Sequence, residues 1–357
     1  MGEKELRDLI PIQAEWSIPQ LQENLAVALE GSGAALSTTQ TQTKQVANEV
    51  ALVVNTSGST GDSKSVVLSS AALIASANAS HKYLGATPGD SWSLLLPTTH
   101  IAGLNVIVRA TALGSRVIDN RNTDDYVDAD FVSIVPTQLF RALNSDERLL
   151  RHLQSAKAVL VGGAALSPAL SQQAVTAGIN VVETYGMTET SGGCIYNGQA
   201  IEGVEYSLNE KSLVQIRGSV MSETYLNAPE LYILSDGWFV TNDLGEVIDG
   251  KLHILGRADD VIISGGENVS LTAIEATLSI RYPEIEFAAF AVNDIQWGHA
   301  LHLAVVGEIG ESEIAHYLEA ALGAASKPKG IHHLEQLPLL GIGKVDRIAL
   351  AKMVGHE

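Results

Sequence analysis

Val50-Ala51-Leu52-Val53-Val54-Asn55 runs directly into Thr56-Ser57-Gly58-Ser59-Thr60-Gly61-Asp62-Ser63-Lys64. The first stretch is apolar and β-branched up to its closing Asn, the composition of a short buried strand. The second is a run of hydroxyl side chains and glycines ending in a lysine. Glycine lets backbone N–H groups approach an anion, hydroxyls add donors and a lysine adds charge, so the pair reads as a triphosphate cradle set on a strand end. A P-loop needs its lysine directly after the last glycine; here Asp62 and Ser63 separate Gly61 from Lys64, which disfavours a P-loop NTPase. Taken alone, the stretch also admits the lesser reading of a flexible Ser/Gly turn.

Outward from this loop the chain predicts alternation. Before it stand a helix over 18–29, closed by Gly31 and Gly33, and a Ser/Thr/Gln-rich loop over 37–45. After it, strand-like runs at 66–68, 91–96, 115–119, 131–135, 158–161 and 180–183 alternate with helical runs at 70–83, 102–113, 137–144 and 168–177, the pattern of an α/β sheet with crossovers. Past residue 200 the pattern turns to short strands, at 213–217, 238–241 and 246–254, and implies a β-rich subdomain. Beyond Arg257 it restarts with a strand, the Gly265-Gly266 turn, a helix over 271–279, strands over 286–292 and 301–306, and a helix over 311–322. The expectation is an α/β protein: a large N-terminal α/β domain over 1–257 with a β-rich subdomain, and a small α+β C-terminal domain over 258–357.

The composition of the 357 residues, 46% apolar and 18% charged, is that of a globular chain and not of a disordered one or a repeat array. A formal net charge of −19 leaves no basic footprint for nucleic acid and would be repelled by anionic lipid, so neither is an expected partner. Any anionic substrate must be drawn by local cations and N–H groups. The first residues carry no signal-peptide pattern and the one cysteine, Cys194, excludes a disulfide framework, which suits a cytoplasmic location. Cys194 reads as a small packing residue, since no His or Cys partner stands near it.

Six segments in order resemble the adenylate-forming superfamily of acyl-CoA synthetases, luciferases and peptide-synthetase adenylation domains. They are Thr56 to Lys64; Gly162-Gly163-Ala164; Tyr185-Gly186-Met187-Thr188-Glu189-Thr190; Gly237 to Asp243; Gly256-Arg257-Ala258-Asp259-Asp260 with Ser264-Gly265-Gly266-Glu267-Asn268; and Gly341-Ile342-Gly343-Lys344. Departures are Ser63 and Ser65 in place of Pro and Gly around Lys64, and Asn242 in place of a Gly. The resemblance implies that ATP is held by Thr56, Ser57, Gly58, Ser59, Thr60, Gly61 and Lys64 at its phosphates, and by Gly162, Gly163, Ala164, Tyr185, Gly186, Met187 and Thr188 around the adenine. It implies that Asp243, with Arg257, accepts the ribose hydroxyls and that Glu189 holds Mg2+, a hard cation suited to carboxylate and phosphate oxygens. Lys344, Glu189 and Thr60 would be the catalytic residues, with Lys344 meeting the charge that builds at the α-phosphate. The small domain would be mobile, turning about Asp259 to bring Gly265 and Gly266 to the CoA tunnel.

The stretch before the phosphate loop is short for the superfamily, which implies a trimmed N-terminal domain. Together with Leu96-Pro97-Thr98-Thr99-His100-Ile101-Ala102-Gly103-Leu104, Val135-Pro136-Thr137-Gln138-Leu139 and Ser191-Gly192-Gly193-Cys194, this looks like the short actinobacterial-type o-succinylbenzoate-CoA ligases of menaquinone biosynthesis. The substrates implied are o-succinylbenzoate, ATP and CoA, with a homodimer also admitted. The acyl pocket would be formed by His100, Arg109, Gly186 and Gly192, with Arg109 pairing with the carboxylate that is not activated. The plainer readings are a satisfied core histidine for His100 and a snorkelling surface arginine for Arg109. Other functions the motifs admit are a ligase for another aryl or medium-chain acid, a carrier-protein loading domain, for which no carrier module follows, and a nucleotide-binding sensor or scaffold.

Overall fold

The computed structural model describes residues 5–56, 63–123, 125–295, 297–339 and 345–354. The chain forms two compact units, one of Met1–Ala164, Ala174–Ser207 and Gln215–Val240, the other of Ala165–Gln173, Leu208–Val214 and Thr241–Glu357. Among the described residues no helix is long and apolar enough to cross a membrane.

The first unit holds two sheets. One has six strands in the order Thr224–Tyr225, Lys64–Ser69, Val50–Thr56, Ala35–Ser37, Leu6–Pro11, Gln45–Ala47. The other has seven, in the order Gln199–Ala200, Gly192–Tyr196, Val181–Met187, Ala158–Gly162, Phe131–Ile134, Trp92–Leu94, Val117–Asp119. Helices Ile18–Leu29 and Ser70–Leu84 each touch strands of both sheets and lie between them with Ile101–Ala112. Burial on both faces explains why Val50 to Val54 are apolar without alternation and why all of Phe131–Ile134, Ser133 included, is buried.

Local chemistry sets the helix ends. Ser17 and Gln20 close a capping box at the start of Ile18–Leu29, whose buried face is Leu21, Leu25, Ala28 and Leu29. Ser69 caps Ser70–Leu84, which stops where Gly85 turns left-handed at φ 66°. Three features escape the sequence pattern. Leu6–Pro11 is a strand, paired with Ala35–Ser37 and Gln45–Ala47, so the loop expected over 37–45 begins and ends in strand residues. Its Arg7 is buried and donates to the carbonyls of Ala28, Gly33 and Asn48, partners far away in sequence. Glu147–Ser155 is a further helix, capped by Asp146.

In the second unit, Gly298–Val306 pairs along its length with Glu286–Asp294, in parallel with Gly330–His333, and at Gly298 with Val261–Ser264, which in turn pairs with Glu267–Ser270. Helices Leu271–Arg281 and Glu311–Leu322 cover one face, burying Ile274, Leu278, Phe287, Leu301, Leu303, Ile314 and Leu318. The alternate residues Ala288, Phe290 and Ala304 face the other way, onto Leu337 and onto Leu350 of helix Arg347–Val354. The later part of Trp238–Ile248 forms a hairpin with Lys251–Arg257 in this unit.

Candidate active site

Phe131–Ile134, Ala158–Gly162 and Val181–Met187 are parallel neighbours, so Val135, Gly163-Ala164 and Tyr185 to Met187 emerge together at their carboxyl ends, the side on which open α/β sheets bind ligands. Gly162 sits opposite Thr184, and a Cβ there would strike the Thr184 hydroxyl and carbonyl; Gly163 follows at φ 83°. The two glycines therefore leave a bare backbone edge beside Tyr185, a half-buried ring. Gly186 is pressed against the neighbouring strand, where a Cβ would meet the Gly192 carbonyl and lie 2.7 Å from the Gly193 Cα.

After Met187 a single 3-10 turn, Thr188–Thr190, carries Glu189. Its shape is pinned from several directions. The Thr190 hydroxyl accepts from the Met187 N–H (2.9 Å) and donates to the Gly192 carbonyl (2.6 Å). Ser191 takes φ 52°, and its carbonyl accepts from Asn105 Nδ2 at 2.7 Å and Ser76 Oγ at 3.2 Å. The Glu189 carbonyl accepts from the Ser222 N–H at 2.7 Å.

The Glu189 carboxylate is held by a residue that no motif marks. Tyr225 donates its hydroxyl to Glu189 Oε1 at 2.8 Å, while Lys64 Nζ stands 4.8 Å from the centre of the same ring. Burial first, and the Glu189 charge second, push the Tyr225 phenol well above its ordinary range, so it remains a donor. Tyr225 reaches this place because Thr224–Tyr225 pairs with Lys64–Ser69 (Tyr225↔Val66). Thr56 pairs with Lys64, and Asn227 clamps the outgoing strand by accepting from the Ser65 N–H and donating to the Ser63 carbonyl. Both flanks of the proposed phosphate loop are thus fixed. Ser57, Gly58, Ser59, Thr60 and Gly61 themselves lie outside the described residues, as does Lys344.

His100 is half-buried and precedes helix Ile101–Ala112 without capping it through its side chain. Asn105 and Arg109, one turn apart on that helix, both reach strand Gly192–Tyr196 or its lead-in. A Cβ on Gly192 would strike Asn105, and Arg109 Nη2 donates to the Tyr196 hydroxyl at 3.0 Å, which is 2.7 Å from Ser80 Oγ. Arg109 is 4% exposed and stacks over Trp92 at 5.2 Å, so it is not a surface arginine. Among the described residues no carboxylate pairs with it, and its Nε is buried without a hydrogen-bond partner. Burial, and then the Arg109 charge, hold the neighbouring His81 down at about 4, so this imidazole is neutral at physiological pH.

Asp243, Arg257, Asp259, Gly265 and Gly266 belong to the second unit. Asp243 and Arg257 face each other across the hairpin. The Arg257 guanidinium grips Asp259 in a bidentate pair at 2.7 and 2.9 Å, which raises its pKa further. Gly265 and Gly266, at φ 60° and 87°, make the tight turn between Val261–Ser264 and Glu267–Ser270, against the Trp297 ring. Among the described residues there is no cluster of three or more His, Cys, Asp or Glu that could hold a metal.

Residues 4–225, which include the Gly162-Gly163 backbone, Glu189 and Lys64, match the family described as AMP-binding enzyme. The chain belongs to this adenylate-forming family, among the AMP-forming acid-CoA ligases. Within it, the chain is 36% identical over 339 residues to a Mycobacterium tuberculosis protein named probable 2-succinylbenzoate–CoA ligase, covering 88% of this chain and 87% of that one. Its fold is similar to that of the o-succinylbenzoate CoA synthetase of Bacillus subtilis in complex with the acyl-adenylate intermediate, at TM-score 0.74 and 23% identity over 96% of this chain and 82% of that one. It is similar also to ATP-bound MatB from Rhodopseudomonas palustris, at TM-score 0.78 and 21% identity over 99% and 90%.

Proposed function

We propose that the protein is an o-succinylbenzoate-CoA ligase acting in the cytoplasm in menaquinone biosynthesis. The succinyl carboxylate attacks the α-phosphate of ATP, pyrophosphate leaves, and the CoA thiolate then attacks the acyl carbonyl and displaces AMP. The observation that carries the choice of acid is Arg109. A buried guanidinium without an anion is costly, and an acid that retains a second carboxylate beside its ring supplies the missing charge. The Mycobacterium tuberculosis relative, by its name, supports the same acid.

In this reading residues 57–61 and Lys64 hold the phosphates, Gly162 to Ala164 and Tyr185 to Thr188 enclose the adenine, and Asp243 with Arg257 takes the ribose. Mg2+ fits Glu189: Tyr225 occupies Oε1, and a carboxylate oxygen remains for a cation that otherwise prefers phosphate and water. Bound there, it would neutralise phosphate charge as pyrophosphate departs. Glu189 and Lys64, ordered by one tyrosine, keep anion and cation apart at fixed places. Residues 258–357 are the moving part, turning at Asp259 so that Lys344 serves adenylation and Gly265-Gly266 serves the thiol.

The test is pyrophosphate release with ATP, Mg2+ and CoA across o-succinylbenzoate, benzoate, succinate and a medium-chain fatty acid. The dicarboxylate is expected to be turned over best. Equal turnover of a simple aryl or fatty acid would remove the assignment of the acid and leave the ligase.

A further inference from the structure

We propose that Arg347 is a positioning residue for Lys344, tying the segment that carries this lysine to the Asp259-Asp260 turn; this rests on the reading of Lys344 as the adenylation lysine. The tether is visible on both sides of residues 340–344. Leu339 and Val345 form an isolated antiparallel bridge, and the Asp346 N–H donates to the Pro338 carbonyl at 2.8 Å. Arg347 comes next. Its Nη2 reaches both oxygens of Glu275 at 2.9 Å, its Nε donates to the Ala289 carbonyl at 2.9 Å, and its Nη1 lies 3.5 Å from Asp260 Oδ2. Glu275 is itself fixed by the Ala289 N–H at 2.9 Å.

One side chain thus joins helix Leu271–Arg281, strand Glu286–Asp294 and the turn Ala258–Asp260, three residues downstream of Lys344. The helix it begins does not need it. Asp346 already accepts from the Ala349 N–H and Leu350 is buried in the core. The side chains of Arg347, Glu275 and Asp260 are 30%, 22% and 21% exposed, and the bidentate pair with its Asp260 neighbour forms one network and not an isolated surface pair. What the fork does supply is a fixed distance between Arg347, three residues after Lys344 in the chain, and the turn that begins with the Arg257–Asp259 pair. A charge that must meet a developing oxyanion needs that precision, because a displacement of about 1 Å can cost about a hundredfold in rate.

The experiment measures both half-reactions in the full-length protein: adenylate formation by pyrophosphate release, and thioester formation from supplied acyl-adenylate. Arg347→Gln is expected to slow adenylation by about a hundredfold, with thioester formation unchanged and partial recovery in Arg347→Lys. Combined with Lys344→Ala it should add no further loss, because a residue acting through Lys344 has nothing left to position. Parallel loss of both halves, or multiplying effects, would overturn the proposal. If Arg347→Gln fails to fold, Asp260→Asn keeps the Glu275 pair and is expected to slow adenylation alone, again without adding to Lys344→Ala; normal adenylation there overturns the proposal. Should Lys344→Ala adenylate at the wild-type rate, the underlying reading of Lys344 falls and takes the proposal with it. If Lys344→Ala is slow while the Arg347 and Asp260 variants are not, only the positioning role fails.

Discussion

The hydroxyl of Tyr225 lies 2.8 Å from Glu189 Oε1, and the same ring receives the Lys64 ammonium on its face at 4.8 Å. One side chain therefore orders the carboxylate expected to face the metal and the cation expected to face phosphate. Tyr225→Phe keeps the ring and removes only the donor. Hydrogen bonds to charged groups are worth about 1.5–3 kcal/mol, so the apparent affinity for Mg2+ in adenylation should weaken by roughly ten- to a hundredfold. Mn2+ binding followed by its paramagnetic effect on water relaxation, with ATP present, gives a readout independent of turnover. Unchanged Mn2+ affinity would separate Tyr225 from the metal.

Arg109 and the second carboxylate are tested together. Arg109→Ala should lower kcat/KM for o-succinylbenzoate by the equivalent of about 2–5 kcal/mol, roughly 30- to 5000-fold, as for other broken buried charge pairs. An analogue lacking the ring carboxylate should lose little further in the variant. The four rate constants define a coupling energy, and this cycle cancels the loss of the Tyr196 and Trp92 contacts, which both substrates share. A coupling near zero would make Arg109 a purely structural group.

Gly186→Ala should damage stability and chemistry alike. The added methyl would meet backbone on the adjacent strand, the Gly192 carbonyl and the Gly193 Cα, which cannot rotate away as a side chain can. Overpacking of this kind costs about 1–3 kcal/mol, and the strand movement that relieves it would shift the Glu189 turn. Thermal unfolding and adenylation rates check both halves of this expectation.

His81 makes stability depend on pH in a defined window. Its folded pKa is depressed from 6.5 to about 4, by burial and then by Arg109, whereas in the unfolded chain it titrates normally. Between those values the unfolded state binds more protons, so stability rises as pH rises from about 4 to 6.5 and is lost as pH falls. The full difference is at most about 3.5 kcal/mol, at roughly 1.4 kcal/mol per unit. Urea unfolding of wild type and His81→Gln at pH 4.5 and 7.5 should show the variant relatively more stable at the lower pH. Parallel losses in both proteins would count against it.

The chain itself was enough for features whose causes are local. Helix Ile18–Leu29 was legible to both ends because Ser17, Gln20 and the Leu21–Leu25 spacing act within a few residues of one another. The family was legible because loops that bind phosphate and adenine must keep glycine and hydroxyl residues in sequence order, whatever surrounds them. Strand Leu6–Pro11 was not, since its pairing with Gln45–Ala47 and the three carbonyls that satisfy Arg7 come from distant segments. Nor were Tyr225, Asn105, Tyr196 and Arg347, whose partners stand 36, 86, 87 and 72 residues away.

What the sequence determined by itself is therefore the class of enzyme and the residue types its chemistry needs. Only the tertiary structure decided that Arg109 is buried against Trp92 and not on the surface, and that Glu189 has a tyrosine to hold it. The physical reason is that burial and hydrogen-bond partnership belong to pairs of segments brought together by packing, and no single stretch of chain carries them.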